Sequence, residues 1–166
     1  MIRVTGAVNN GMAEMFTWQG GYNSPEDLRR LRPYIAMGFG DINWDASSPS
    51  DVLGTETTLT SEICRVVPYL YHTLDTVEFD RGKLLDDPSN ADIIRFVGEF
   101  RGKEILPETS PGSYVREVGL FIQATEEKNS GQLVLLVRHG RVWWDPKFSW
   151  RRELIVDMRA LMEESI

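Results

Sequence analysis

The chain is poor in the residues that carry most reactive chemistry. It has one cysteine and two histidines among 166 residues. A lone Cys64 excludes an intrachain disulfide and fits assembly in a reducing cytoplasm. It lies in the apolar phrase Ile63-Cys64-Arg65-Val66-Val67, where a small buried hydrophobe is expected. A nucleophilic cysteine needs a base and an electropositive setting, and the sequence shows neither. His72 and His139 stand far apart and, with one cysteine, give no zinc spacing. No run of about 18 apolar residues exists, so no membrane span is expected. Met1–Asn10 lacks the basic-then-apolar layout of a signal peptide. Positive charge is the minority sign: 18 Lys and Arg against 25 Asp and Glu, net −7. Such a chain repels phosphate backbones, and no nucleic-acid partner is expected. The basic cluster Arg29-Arg30-Leu31-Arg32 reads as a solvated helix face or a protein contact.

What is present is a core and a β pattern. The composition is 42% hydrophobic, which argues against a disordered chain, and the length suits a single domain over residues 1–166. Residues 1–33 read as a short helical segment. Asn9 or Asn10 can cap a helix whose apolar face is Met12, Met15 and Phe16. Ser24-Pro25-Glu26-Asp27 starts a second one, which Pro33 stops. Residues 34–166 read as a β-rich body. Strands are expected at Tyr34–Met37, Arg65–Leu74, Asp92–Phe100, Tyr114–Gln123, Gln132–Arg138 and Val142–Trp144. Trp150–Leu161 is extended at first. Pro68 suggests an edge or a bulge, and His139-Gly140 breaks the sixth strand from its neighbour. Asn43–Leu53 is rich in Asp, Ser and Pro and reads as a surface loop. Thr57–Glu62 reads as a helical turn or an extended lead-in. Asn129-Ser130-Gly131 is a turn signal. About six strands with turn signals between them favour a mainly β fold, an antiparallel β-sandwich with a short N-terminal helical element.

Four constellations bear on chemistry. Leu135–Gly140 resembles the R-H-G signature of histidine phosphatases. That family builds its domain after the motif, and here only Arg141–Ile166 follow, so a strand ending in a polar turn is the preferred reading. Gly38-Phe39-Gly40 follows a strand but lacks a third glycine and a helix, and reads as a tight turn. Asp41, Asn43 and Asp45 alternate like the first ligands of a calcium loop, without its glycine and terminal glutamate; a loose site with Asp51 is the alternative to a plain loop. Trp143, Trp144, Phe148 and Trp150 cluster late, as core or interface residues or as a stacking platform for sugars or bases. Glu126-Glu127 and Asp86-Asp87 read as solvated turns. No catalytic, cofactor-binding or metal-binding residue is assigned, and no cofactor is expected. Arg65, Arg116 and Glu117 are candidates for a structural polar network, because charges within strands need partners. Gly119 is expected to allow a close backbone approach or a bulge.

Several phrases resemble, in order, the N-terminal domains of tail-fibre and collar proteins of tailed bacteriophages. Val8-Asn9-Asn10-Gly11-Met12 is similar to their V-T-N-x-G-L opening. Tyr34–Gly40 is similar to their I-A-x-G-x-G strand and turn, and Thr58–Arg65 to their L-x-x-E-x-x-R element. Arg116–Phe121, read R-E-V-G-L-F, is similar to their R-E-x-G-L-F strand. Gln132–Val137 sits where an apolar strand follows, and Phe148–Met158 fits their closing K-x-x-x-x-E-L-x-V strand loosely. The resemblance implies a structural virion protein, not an enzyme, attached to or forming part of the tail, collar, baseplate or fibre-anchoring assembly. Other virion proteins are the implied partners, with a homo-oligomer and assembly in the host cytoplasm. The chain stops where a full fibre would continue into a shaft and tip, which implies a stand-alone adaptor or decorating subunit. The alternative is a carbohydrate- or receptor-binding module using Trp143, Trp144 and Trp150.

Overall fold

The computed structural model describes residues 32–47, 49–53, 55–71, 93–102 and 110–157. The helical segment expected over residues 1–33 falls almost wholly outside these residues, as do His72 and Asp86-Asp87. The fold is mainly β, and the described residues form two antiparallel sheets and a 3-10 turn at Ile42–Asp45. The first sheet has the order β2-β1-β5-β6, built from β1 (Tyr34–Gly38), β2 (Glu62–Val66), β5 (Ser113–Ile122) and β6 (Gln132–Trp144). The second has the order β3-β4-β7, built from β3 (Tyr69–Tyr71), β4 (Ile93–Arg101) and β7 (Ser149–Asp157).

Central position explains the composition of β5. It is flanked on both sides, by β1 and β6, and is buried continuously from Val115 to Ile122. A strand buried on both faces loses the apolar–polar alternation of a half-exposed one. One face, with Val115, Val118, Leu120 and Ile122, joins an apolar cluster that also holds Ile35, Met37 and Cys64 of its own sheet and Phe96, Phe100 and Leu154 of the other. The opposite face carries a smaller cluster of Ala36, Phe121, Leu133 and Leu136, covered by Leu59 and Ala124.

Two strand boundaries differ from the sequence expectation. Arg65–Leu74 is not one strand: β2 ends at Val66 and β3 starts at Tyr69, in the other sheet. Pro68 lacks the N–H a ladder needs, and it stands in the two-residue link where the chain changes sheets. Conversely, His139-Gly140 does not end a strand. β6 runs for 13 residues through it, and the register against β5 shifts there, with Glu117 opposite Arg138 but Val115 opposite Val142. The irregularity takes up two extra β6 residues, so R-H-G forms a bulge rather than a terminus.

Candidate functional site

The phrases Tyr34–Gly40, Thr58–Arg65 and Arg116–Phe121 are far apart in sequence and adjacent in space. β1 pairs with β2 on one side and β5 on the other, with Ala36 opposite Gly119 and Gly38 opposite Glu117. The two glycines are required by close approach. A Cβ at Gly38 would lie 2.5 Å from Glu117 Oε1, and one at Gly119 would lie 2.8 Å from Leu59 Cδ2. Gly119 therefore opens room for the Leu59 and Leu133 side chains, where a close backbone approach or a bulge was the expectation.

Three arginines fasten loops onto this face. Arg65 of β2 is buried and grips Glu62 side-on, Nε to Oε1 at 2.7 Å and Nη2 to Oε2 at 2.8 Å. Its Nη1 donates to the carbonyls of Thr125 and Ser130 at 3.0 and 3.1 Å, while Glu62 accepts the Asn129 N–H at 2.8 Å. The β5–β6 turn, with Asn129 at φ 60° and Gly131 at φ 80°, is thereby tied to β2. The guanidinium also lies 4.7 Å from the Phe121 ring centroid, a cation–π contact.

Arg116 holds the β1–β2 connection in the same way. Its Nε and Nη2 reach Asp45 Oδ1 and Oδ2 at 2.8 and 2.7 Å, and its Nη1 donates to the Phe39 carbonyl at 3.0 Å. The hydrogen bonds from Arg116 hold the Asp45 carboxyl below its usual range. Asp41 caps the helical turn by accepting the Asn43 N–H at 2.9 Å. Two of the acidic residues considered as calcium ligands thus serve an arginine clamp and a cap. Arg138 completes the set. It donates to the Asp51 carbonyl at 2.9 Å, approaches Glu56 at 3.4 Å and stands over the Trp44 ring at 5.1 Å.

The candidate network is therefore real for Arg65 and Arg116, but as two separate clamps. Glu117 belongs to neither. It faces Arg138 at 4.0 Å, is fully buried, and neither of its oxygens accepts a hydrogen bond among the described residues. Burial pushes its carboxyl up to about 7; the Thr60 N–H and the Arg138 charge pull the other way without closing a hydrogen bond. Sequence reasoning missed Arg138 as a clamp, although a charge ending an apolar strand was a signal for it.

The other candidates are placed as follows. Burial, reinforced by the Glu62 charge, pushes the Cys64 thiol up to about 12, far from a reactive thiolate. His139 donates from Nδ1 to the Gly140 carbonyl at 2.7 Å, and Arg138 next to it is committed to the loop. Of the late tryptophans, Trp144 is buried and Trp150 packs against the shared cluster, while Trp143 is about half exposed and stacks edge-on with Tyr114 at 4.9 Å. Phe148 is exposed. The three tryptophans do not share one exposed platform. Among the described residues, no group of three His, Cys, Asp or Glu side chains is placed to hold a metal ion, and no helix is long and apolar enough to cross a membrane. Comparison with family models and with curated proteins finds no match to the chain.

Proposed function

We propose that this chain is a structural virion protein of a tailed bacteriophage, working by shape within a tail, collar, baseplate or fibre-anchoring assembly. The observation that supports this reading best is the convergence of three of its fibre-like phrases on the β2-β1-β5 ladder, where their residues constrain one another. The glycine of I-A-x-G-x-G makes room for the glutamate of R-E-x-G-L-F, and the arginine of the latter holds the loop that follows the former. A motif set that meets in space carries more weight than the same phrases scattered. We read the two sheets as a β-sandwich, because one apolar cluster draws on both.

The surface fits assembly. Tyr114 and Trp143 are large, at least a third exposed and stacked on each other, with Arg141 over Tyr114 at 5.3 Å. Aromatic and arginine side chains are the residues in which binding energy concentrates at protein interfaces. Among the described residues β6 is also an edge strand in its sheet, and an edge can pair with a neighbour. We assign the protein to a homo-oligomer, of which closed rings are the usual form.

The carbohydrate or receptor reading keeps one specific support, the exposed Trp143 beside Tyr114. Native mass measurement and co-sedimentation with purified phage tails decide between the two. A defined oligomer that sediments with tails is expected. A strict monomer that binds no virion component, and binds glycans in a Trp143-dependent way, would overturn the structural reading.

A further inference from the structure

Three arginines point the same pair of nitrogens, Nε and Nη2, into protein. For Arg65 and Arg116 this side-on fork is filled, by Glu62 and Asp45 respectively, with both bonds between 2.7 and 2.8 Å. For Arg152 the same two nitrogens are buried, and among the described residues neither has a hydrogen-bond partner. Arg152 sits on β7 opposite Gly98, between Trp150 and Leu154, which both pack with the shared apolar cluster. Its guanidinium lies 3.7 Å from the Trp150 ring centroid.

Two further buried polar atoms, one donor and one ring nitrogen, lack partners among the described residues. Trp144 Nε1, which can only donate, is buried without an acceptor among the described residues, and its ring is 6.4 Å from Trp150. His139 Nε2, the acceptor nitrogen of the ring because Nδ1 donates to Gly140, is also buried without a partner among the described residues. Burial lowers the imidazole's proton affinity, and the Arg152 charge lowers it further. Burial also pulls the Arg152 guanidinium down to about 10. A buried cation without a counter-charge is costly, and an unsatisfied buried donor calls for a missing ligand or ion. Arg152, His139 and Trp150 are each only half-buried as residues, so solvent reaches part of each of them.

We propose that the Arg152 fork is a carboxylate-binding site, the third of a set whose first two members are filled from within the chain. The planar pair Nε and Nη2 matches the two oxygens of a carboxylate, which is the use this fold makes of it twice. The carboxylate comes either from a free small acid or from an Asp or Glu of a second copy of this chain.

The test is a titration of the intact protein with sodium acetate against sodium chloride at fixed ionic strength. It is read by tryptophan fluorescence and by the His139 imidazole resonances. A saturable response to acetate is expected, absent with chloride and lost in Arg152→Gln. In Arg152→Lys it weakens by about tenfold or more, because lysine keeps the charge and loses the fork. The His139 titration midpoint rises as the site fills. Sizing separates the sources: acetate dissociates the oligomer if a second copy supplies the carboxylate, and leaves its size unchanged if a free acid does. An equal response to chloride, or an undiminished one in Arg152→Lys, overturns the proposal. Thermal melting checks that the variants fold; if Arg152→Gln does not, the lysine variant and the His139 shift decide.

Discussion

The two faces of the β2-β1-β5-β6 sheet are closed by different chemistry. Toward the second sheet, closure is apolar: Ile35, Met37, Leu120 and Ile122 meet Phe96, Phe100 and Leu154. On the opposite face a small apolar patch under Leu59 is flanked by Arg65 on one side and by Arg116 and Arg138 on the other. The first face is held by non-directional burial, which tolerates exchange of one apolar group for another. The second is held by forks that accept one geometry only. The difference teaches that the loops here are positioned as strictly as the strands.

Variants that break each face should show this. The largest effect is expected at Arg65, whose pairing with Glu62 is almost completely out of water, at 2% and 0% side-chain exposure. Arg65→Met leaves a buried carboxylate uncompensated and should cost about 3–5 kcal/mol. The double variant Arg65→Met with Glu62→Leu should recover much of it in chemical denaturation. Phe100→Ala, on the apolar face and fully buried, should cost a similar amount, about 3–5 kcal/mol, but with no such rescue by a charge partner. Gly38→Ala drives a Cβ into the Glu117 carboxyl and should cost about 1–3 kcal/mol. In a Glu117→Ala background the same substitution should cost much less, because the clashing group is gone.

A subtler prediction concerns pH. The folded-state pKa of Glu117 is raised, from 4.5 to about 7. Its neutral form therefore supports the fold fully below about pH 4.5, and that contribution is lost as pH rises through about 7, by linkage on the order of 3 kcal/mol. Melting curves from pH 5 to 8 should show Glu117→Gln less pH-dependent than the wild type. The smallest effect is expected at Trp143, about half exposed: Trp143→Ala should change monomer stability by no more than about 0.5 kcal/mol while weakening self-association.

The apolar face was legible in the sequence. β1, β4 and β5 fall within a residue or so of where their β-branched and aromatic runs place them, and the turn at Asn129-Ser130-Gly131 is where its residue types require. The clamped face was legible only in part. Arg65 and Arg116 stood out as charges inside strands, but their partners did not. Asp45 is 71 positions from Arg116, and Thr125 is 60 from Arg65, so no local pattern links them. Arg138 and Arg152 were hidden for a related reason. Each sits beside a second charged or polar residue, so a linear reading places it at a turn or on a solvated surface, and only the register shows which face it takes. The bulge at His139 arises from two extra residues in β6 that matter only against β5.

The role we propose for this protein is that of a virion building block. The most direct measurement is localisation of the protein in purified tailed-phage particles by antibody labelling and electron microscopy. The account predicts label at a fixed position on the tail, collar or baseplate, at a constant copy number per particle. A protein abundant in infected cells but absent from purified particles would contradict it.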